Sequence, residues 1–421
     1  MRRRLSRREP IAQHGRLRSP GVLSQLLTFV GVSVAVVAVS AIAVVGYSAY
    51  SLTSSFAANQ FTLEGETALP PDIGSIEGGL DLLLVGSDEC DPSFSAMFGD
   101  RCDGPDAEGA RNDVTILVHI SDSPRRITVI SFPRDLEIPI PACTDQTTGQ
   151  PISAMSKQML NSTLDPGGVS CVAKTITQLS GQKIDMAAKV TWGGVINITD
   201  AIGGIDVCVQ NGIDDPDAGL HLPAGVTTVQ GAEALAFLRS RHGVGNGGDL
   251  ARISNQQQYF SALARKITSP EVLSDMPTLY RLATTAVQNI SPSANLANPL
   301  TLIQIALAAK SVPADQIVFL QYPTKTDPDD PNRVVPDETA ASALWTALAN
   351  NTALQISGGV SPAGGVEQVS PTGAPIPLPS TSATPSPDPS ASATPGADTS
   401  VLPSAITGTN ASQRTCSNGN G

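Results

Sequence analysis

Four short charged motifs contain the residues of this 421-residue chain whose types and spacing could do chemistry together. Asp88 follows an apolar run, Arg111 and Asp113 precede a second, and Arg134 follows a third. The fourth motif, FLRSRHGVGNGGDLARISNQQQ, contains Arg239, Arg241, Asp249, Arg252 and Gln256. Guanidinium groups bind phosphate oxygens in pairs, and carboxylates hold Mg²⁺ together with phosphate oxygens. The combination therefore indicates metal-assisted chemistry at a pyrophosphate.

Each motif also has an ordinary structural interpretation when it is taken alone. Two arginines at the end of a helix complement the helix dipole, and an aspartate after a strand can cap a turn. The segment from Gly243 to Gly248 resembles a phosphate-binding loop only loosely, because it lacks the G-K-[ST] sequence, so its signal is weak. Only the set of motifs together favours a functional site.

Residues 79–350 are predicted to form one α/β domain. Short apolar runs read as buried strands: LDLLLVG, VTILVHI, RITVISF, KIDMAAKV and GIDVCVQ. Helical patterns lie between and after them: GGVSCVAKTITQLSG, TWGGVINITDAIGG, TVQGAEALAFLRSR, DLARISNQQQYFSALARKI, TLIQIALAAK and DETAASALWTALAN. This alternation predicts a central, mixed or largely parallel sheet with helices on both faces.

The predicted elements bring part of the charged set together. Ligands of open α/β sheets gather at the carboxyl ends of strands, where Asp88 and Arg134 are placed. Asp113 begins its strand, so it meets them only if that strand is antiparallel or its loop folds back. Asp249, Arg252 and Gln256 are three and four residues apart and share one helix face.

The N-terminal part of the chain has the pattern of a membrane anchor. The first twenty residues carry seven Arg and one acid, Glu9, and no charged residue occurs from Gly21 to Tyr50. We predict a cytoplasmic segment 1–22, a transmembrane helix 23–47 and an extracytoplasmic stalk 48–78, which makes a single-pass protein of the cell membrane. A cleaved signal peptide is the alternative, but its apolar core is usually 7–15 residues.

The composition of the last part of the chain predicts disorder, and the net charge of the whole chain argues against one class of partner. Residues 351–421 are rich in Pro, Ser, Thr, Ala and Gly, and we predict that they form a disordered tail. The formal net charge of −12 argues against nucleic acid as a partner, because binding to a phosphate backbone needs a basic face.

Six cysteines are spread along the part of the chain that is predicted to lie outside the cytoplasm, where disulfides are expected. Cys90 and Cys102 bracket a short insertion and are predicted to pair. Cys143–Cys171 is the second predicted pair, although Cys208 competes for either partner. The partner of Cys416 stays open, and the absence of paired C-x-x-C spacing argues against a thiolate metal site.

From DLLLVGSD to GDLARISNQQQ, about residues 79–270, the order of motifs resembles the LytR-CpsA-Psr family. The resemblance implies a membrane-anchored extracytoplasmic phosphotransferase, which moves a glycopolymer from a polyprenyl-pyrophosphate carrier to peptidoglycan with Mg²⁺ or Mn²⁺. It also implies a mixed sheet between helical layers and an apolar tunnel for the lipid. The basic N-terminus, membrane segment and Pro/Ser/Thr-rich tail resemble actinobacterial members.

The resemblance also assigns roles to the charged residues. Asp88 and Asp113 are the expected metal ligands and, with Arg111 and Arg134, the catalytic set; Asp249 is expected to orient arginines. The expected pyrophosphate-binding residues are Arg111, Arg134, Arg239, Arg241, Arg252 and Gln256. This sequence departs from the family in having Glu89 and Cys90 after Asp88, Asn255 before the glutamines, and a longer, Cys-bearing insertion before Arg111.

Transfer to a sugar hydroxyl is the favoured hypothesis. Asp88 is the first candidate base, although a carboxylate bound to metal is a poor base and the step can proceed without one. A carrier-binding or regulatory protein without transfer and a polyprenyl-pyrophosphate pyrophosphatase are the alternatives. The helices TLIQIALAAK and QQYFSALARKI are predicted to line the lipid tunnel, with ordinary core packing as the alternative. The motifs do not distinguish teichoic acid, capsule and arabinogalactan as the glycopolymer.

Overall fold

The computed structural model describes scattered positions between residues 26 and 51, then residues 54–67, 79–98, 100–104, 109–361, 363–369 and 399–421. The chain divides into a unit that ends at Leu52 and a unit from Thr53 to Gly421. The described positions of the first unit are all helical. No helix in the described part of the chain has the length and apolar character needed to cross a bilayer. The predicted cytoplasmic segment 1–22 and most of the predicted anchor 23–47 lie outside the described residues.

The second unit contains two larger sheets and several two-stranded ones. Its strands are β1 (Leu80–Ser87), β2 (Asn112–Ile120), β3 (Ile127–Phe132), β4 (Glu137–Ile140), β5 (Cys143–Thr144), β6 (Pro151–Ile152), β7 (Met155–Met159), β8 (Met186–Thr191), β9 (Ile205–Val209), β10 (Ile213–Asp215), β11 (Leu220–Leu222), β12 (Gly225–Val229), β13 (Ile290–Pro292), β14 (Ile317–Gln321), β15 (Thr324–Thr326), β16 (Val334–Pro336), β17 (Ala353–Gln355), β18 (Val366–Val369), β19 (Thr399–Val401), β20 (Gly408–Asn410) and β21 (Arg414–Ser417).

Helices connect and cover these strands. They are α1 (Ser95–Phe98), α2 (Asp100–Asp103), α3 (Gly168–Ser180), α4 (Trp192–Ala201), α5 (Gly231–Arg239), α6 (Asp249–Ile267), α7 (Pro270–Ser274), α8 (Met276–Asn289), α9 (Pro299–Lys310) and α10 (Glu338–Ala349), with short 3₁₀ turns at Leu160–Ser162 and Ala314–Gln316. All six predicted helical patterns are present as helices. The amphipathic helix α8 was not predicted; none of its side chains for which burial is described is buried.

The central sheet is mixed, as predicted, and has the strand order β13-β8-β1-β2-β3-β14-β20. β8 is parallel to β1 and β14 is parallel to β3. β2 is antiparallel to both β1 and β3, with Ser87 opposite Asn112 and Phe132 opposite Thr115. The carboxyl ends of β1 and β3 therefore lie at the same edge of the sheet as the start of β2, which satisfies the condition set for Asp113.

Helices cover both faces of this sheet because alternate strand residues are apolar on each side. Leu83, Leu117 and Ile130 have no exposed surface, and they pack in one cluster with residues of α3 and α10. The opposite face packs against α9 and the second half of α6. Its cluster includes Leu80, Ile116, Phe319, Phe260, Leu302 and Ala308.

A second sheet of order β12-β9-β21-β18 carries its own core. The predicted strand GIDVCVQ is β9 and lies in this sheet, not in the central one. Val207 of β9 packs with Phe237 of α5 and Tyr259 of α6, all at most 2% exposed. The second sheet therefore supports the two helices that carry the fourth charged motif.

The predicted stalk is packed onto the second unit where the structure describes it. Phe56 and Leu63 are 5% and 4% exposed. The backbone N–H of Phe61 donates to the carbonyl of Pro292 at 3.0 Å, and the Glu66 carboxylate accepts the backbone N–H of Asn295 at 2.7 Å. The apolar side chains of this segment find a core to bury in, so residues 54–67 are not a free stalk.

The prediction of a disordered tail over 351–421 is wrong for the residues that the structure describes there. β20 adds to the edge of the central sheet, and β21 joins β9 and β18 in the second sheet. Val366, Val369, Leu402 and Ile406 are buried, so these segments contain more apolar surface than the average composition indicates. Residues 370–398, the most Pro/Ser/Thr-rich stretch, lie outside the described residues.

Three disulfides join the six cysteines. Cys90–Cys102 and Cys143–Cys171 are the two predicted pairs. The third, Cys208–Cys416, links β9 to β21 across a sequence separation of 208 residues. This disulfide fixes the C-terminal strand β21 in the second sheet. The composition of the tail did not predict this strand.

The variant Ser417→Ala is expected to lower the free energy of unfolding by about 1–3 kcal/mol. Ser417 has no exposed surface, and its hydroxyl hydrogen-bonds the side-chain oxygens of Asn255 and Gln258 on α6. Loss of the hydroxyl leaves the buried oxygens of Asn255 and Gln258 without this donor. Urea unfolding measures the resulting change in the free energy of unfolding. The exposed Ser404→Ala is the control, with a change within about 0.5 kcal/mol. Equal stability of the two variants would contradict cooperative folding of the C-terminal segment with α6.

Candidate active site at the edge of the central sheet

Asp88 is fixed by the first turn beyond β1. Its backbone N–H donates to the carbonyl of Arg111 at 3.1 Å, and its Oδ1 accepts the backbone N–H of Arg111 at 2.6 Å. The residue is 7% exposed, whereas Arg111 is exposed. The peptide backbone of Arg111 therefore positions Asp88.

Arg134 and Asp113 meet where β3 ends beside the start of β2. Arg134 Nη1 donates to Asp113 Oδ1 at 2.7 Å, while Arg134 Nε lies 3.5 Å from Asp135 Oδ1 and 3.8 Å from Asp249 Oδ1. Burial alone would lower the pKa of Arg134, but the three carboxylates raise it above its ordinary value. This guanidinium is permanently charged.

Asp249, the first residue of α6, holds three arginines. Its Oδ1 lies 2.6 Å from Arg252 Nη2, 3.0 Å from Arg241 Nη2 and 3.8 Å from Arg134 Nε. Arg252 is 4% exposed and also donates from Nη2 to the carbonyl of Asp113 at 3.3 Å. The carboxylate thus links α6 to the loop after α5 and to the sheet edge.

Arg239 is positioned by an aromatic ring. Its guanidinium carbon lies 4.0 Å from the ring centroid of Trp192, the first residue of α4. Burial lowers the pKa of Arg239, with Asp113 and Asp88 acting in the opposite direction. Phe98 packs edge-on against Trp192 at 4.9 Å between centroids. The insertion closed by the Cys90–Cys102 disulfide therefore supports the ring that positions Arg239.

One cavity of about 200 Å³ collects most of these side chains. Four of the five predicted phosphate-binding arginines line it with Asp113, Asp215, Asp217, Ala218 and His242; they are Arg134, Arg239, Arg241 and Arg252. Asp249 connects three of these arginines. The structure thus brings residues of three separate motifs together in a pocket with four guanidiniums and three carboxylates at the predicted sheet edge.

Arg111 and Gln256 are placed differently from the expectation. The Arg111 side chain is exposed, and its backbone is the part that contacts the site. Gln256 is 4% exposed, and its Nε2 donates to the carbonyl of Leu238 at 2.9 Å. Its amide therefore fastens α6 to the end of α5, just before Arg239.

Comparison of the sequence with known protein families identifies the family of this chain. The LytR_cpsA_psr family matches residues 47–350. The chain belongs to the LytR-CpsA-Psr family. It is 27% identical over 281 residues to the cell wall biosynthesis protein LcpA of Corynebacterium glutamicum, which covers 62% of this chain and 52% of that protein.

Two further relatives extend the comparison. The chain is 25% identical over 252 residues to the polyisoprenyl-teichoic acid–peptidoglycan teichoic acid transferase TagV of Bacillus subtilis, covering 58% of this chain and 61% of that protein. The matched part thus spans about half to two thirds of these curated relatives. The solved LytR-Csp2A-Psr enzyme from Actinomyces oris shares the fold, with a TM-score of 0.50, 23% identity, and coverage of 69% of this chain and 96% of that chain.

The three departures from the LytR-CpsA-Psr pattern have structural consequences. Glu89 accepts a hydrogen bond from Lys189 at 2.5 Å, and Cys90 is in a disulfide. Asn255 has no exposed surface and donates to the carbonyl of Phe237 at 2.7 Å. These positions support the fold around the cavity and add no cation to it.

Three polar residues that line the cavity, Asp215, Asp217 and His242, were not predicted. Asp215 Oδ2 accepts from Ser240 Oγ at 2.7 Å and from the backbone N–H groups of Arg241 and Gly243 at 2.9 and 3.1 Å. Asp217 Oδ2 lies 2.8 Å from His242 Nδ1. The sequence offered one signal, the histidine directly after the R-x-R pair; Asp215 and Asp217, in a hairpin, carried none.

The residues present fit a divalent cation at one of two carboxylate groupings. Asp88 and Asp113 come from adjacent strand ends, and both lie close enough to Arg239 to act on its charge. Carboxylate oxygens beside phosphate are the ligands Mg²⁺ prefers. Asp215, Asp217 and His242 lie within 4.8 Å of one another, but the oxygens of Asp215 are already occupied by hydrogen-bond donors. The first grouping is the one that the sequence predicted.

Replacing Trp192 by Leu is expected to weaken the binding of inorganic pyrophosphate. The cation–π contact that positions Arg239 is worth about 0.5–2 kcal/mol, so we expect a loss of about 2- to 30-fold in affinity. Phe at this position keeps an aromatic face and should restore part of the affinity. Isothermal titration calorimetry in the presence of Mg²⁺ measures the affinity for pyrophosphate.

Trp345→Leu is the matched control, since that ring packs near Tyr322 in another part of the core. Its pyrophosphate affinity should equal that of the wild type. If Trp192→Leu binds as tightly as Trp345→Leu, the ring does not position the guanidinium for an anion.

The variant Asp215→Asn is expected to reduce the loss of unfolding free energy at acid pH. Burial alone would raise the pKa of Asp215, but four hydrogen bonds, the strongest from Ser240, hold it below its ordinary value of 3.8. A carboxyl group whose pKa is lower in the folded protein than in the unfolded chain stabilises the fold at pH values above its unfolded-state pKa. This stabilisation is lost as the pH falls through its folded-state pKa. The wild type should therefore lose stability in urea unfolding below about pH 4, and Asp215→Asn should lose less. The exposed Asp275→Asn should keep the wild-type slope; an equal slope in all three proteins would contradict the assignment.

Proposed function

We propose that this chain is an extracytoplasmic phosphotransferase that moves a glycopolymer from a polyprenyl-pyrophosphate carrier to peptidoglycan. The observation that carries the proposal is the convergence of Arg134, Arg239, Arg241 and Arg252 in one cavity beside Asp113. Membership of the family and the names of the relatives, a cell wall biosynthesis protein and a teichoic acid transferase, support the same class of reaction.

The four guanidiniums of the cavity supply positive charge and hydrogen-bond donors for a diphosphate. Arg134 Nε and Arg252 Nε are buried and have no hydrogen-bond partner in the described structure. Arg239 is held by a ring instead of a carboxylate, so its charge is not neutralised by a direct ion pair among the described residues. Phosphate oxygens accept such forked donors two at a time. A pyrophosphate bound here would relieve the repulsion among the four guanidiniums.

The arginines also suit the transfer step. The hydroxyl oxygen of a peptidoglycan sugar forms a bond to the glycan-bearing phosphorus and loses its proton to a base or to water. The bond from that phosphorus to the bridging oxygen breaks, and the bridging oxygen leaves with the polyprenyl phosphate. Arginines around that phosphate stabilise the developing negative charge. Asp88 and Asp113 would hold Mg²⁺ or Mn²⁺, which when bound supplies further neutralisation of the diphosphate. Asp249 keeps Arg241 and Arg252 in place throughout.

The apolar part of the carrier needs a surface beside this pocket. Phe260 and Ala264 of α6 and Leu302 and Ile305 of α9 are partly buried against the central sheet. We propose that the polyprenyl chain lies along this layer, with the basic N-terminus on the cytoplasmic side of the membrane and the apolar run after it as the anchor. These helices pack as core in the structure, so the lipid would separate them only locally.

Arg239→Ala and Arg241→Ala are each expected to reduce glycopolymer transfer by about 100-fold or more, because each removes a positive charge that would stabilise the departing phosphate. The measurement is phosphodiester-linked product on peptidoglycan, formed from a polyprenyl-pyrophosphate-linked glycan by the purified protein. Arg125→Ala, in the turn between β2 and β3 at the far end of the sheet, is the control and should transfer normally.

The same assay separates the competing functions. Carrier binding without any product, with or without divalent metal, would identify a binding or regulatory protein. Release of glycan phosphate to water, unchanged by added peptidoglycan, would identify a pyrophosphatase. Either result would contradict the proposal, as would full activity of both arginine variants.

A further inference from the structure

His242 and Asp217 form a hydrogen-bonded pair in the wall of the arginine cavity. We propose that His242 is the catalytic base that removes the proton of the acceptor hydroxyl and that Asp217 is its positioning residue. This inference rests on the proposed transfer function and adds to it the residue that activates the acceptor. Neither side chain was among the site residues predicted from the four charged motifs.

The geometry of the pair defines which nitrogen accepts the proton. His242 Nδ1 lies 2.8 Å from Asp217 Oδ2. An ionised carboxylate can only accept, so Nδ1 carries the hydrogen and Nε2 keeps its lone pair. The side chains are 67% and 79% exposed, which leaves Nε2 accessible to a hydroxyl on a polymer as large as peptidoglycan.

The backbone of His242 is fixed although its side chain is exposed. Buried Asp215 accepts the N–H groups of Arg241 and Gly243, the residues on either side of His242. Asn420 Nδ2 donates to the carbonyl of His242 at 3.1 Å. A surface histidine held on both sides by a buried carboxylate is preorganised, which a histidine with only a solvating role does not need.

The pair is also next to the charges that the reaction requires. Arg241 precedes His242 in the chain, and both line the cavity with Arg134, Arg239, Arg252, Asp113 and Asp215. The group that would take the acceptor proton therefore shares its cavity with the guanidiniums that would bind the diphosphate.

The step balances in atoms and charge. The acceptor oxygen forms a bond to the glycan-bearing phosphorus as its proton moves to His242 Nε2. The bond between that phosphorus and the bridging oxygen breaks, and the electron pair leaves with the polyprenyl phosphate. Water then removes the proton from the imidazolium. His242 suits this role better than Asp88, whose Oδ1 already accepts the Arg111 N–H and which is 7% exposed.

The test compares His242→Gln with the wild type and with His221→Gln. His221 is a matched control: it is an exposed histidine 3.7 Å from Asp214 on the same hairpin, and it does not line the arginine cavity. We expect kcat for transfer to fall by about 100-fold or more in His242→Gln, with unchanged affinity for the polyprenyl-pyrophosphate-linked glycan. His221→Gln should behave as the wild type.

The pH profile supplies a readout that a purely structural role would not move. The pH dependence of kcat should differ between the wild type and His242→Gln, because only the wild type has an imidazole at this position. Asp217→Asn should lower kcat by less than His242→Gln and leave donor affinity unchanged.

The failures of the two proposals are distinguishable. A wild-type protein that transfers, with His242→Gln giving the same kcat and the same pH profile, would overturn the base while leaving the transferase intact. A change confined to donor affinity would make His242 a binding residue and also overturn it. A wild-type protein that binds the carrier and transfers nothing would overturn both proposals.

Discussion

The repulsion among clustered arginines is the constraint on which the rest of the site depends. Like charges in a partly buried cavity destabilise one another unless carboxylates lie between them. Asp249 meets that need for three of the four, since its Oδ1 contacts Arg134, Arg241 and Arg252. The first turn of α6 must therefore lie against the edge of the central sheet. The ion pairs separate the guanidiniums and leave Arg134 Nε and Arg252 Nε without a hydrogen-bond partner among the described residues.

Most of the surrounding architecture fixes that first turn. The second sheet buries the flanks of α5 and α6, and the C-terminal strand, tied by Cys208–Cys416, hydrogen-bonds α6 through Ser417. The same segment reaches the loop that carries Arg241: the N–H of Gly245 donates to the carbonyl of Asn418 at 3.0 Å. A chain segment that looks like a tail by composition thus helps to hold the arginine cavity.

The sequence was most informative where a pattern is local. Apolar runs and helical spacing predicted the helices and the mixed central sheet, and the short spacing of Cys90 and Cys102 predicted their disulfide. Contacts that depend on long-range packing were not predictable: the Cys208–Cys416 bond spans 208 residues, and the stacking of Arg239 on Trp192 joins two helices. Gln256 was assigned by motif, yet its amide fastens α5, because motif position does not determine which way a buried side chain turns.

The cavity positions its cations in two physically different ways, and the difference has a chemical meaning. A carboxylate that positions an arginine also cancels part of the charge offered to a phosphate, as Asp249 does for Arg241 and Arg252. The face of an aromatic ring positions a guanidinium through its quadrupole and leaves the full charge in place. Arg239 on Trp192 is held in the second way. Arg239 therefore offers an anion a charge that no described ion pair reduces, which suits the proposed role beside a phosphate that gains charge as the pyrophosphate bridge breaks.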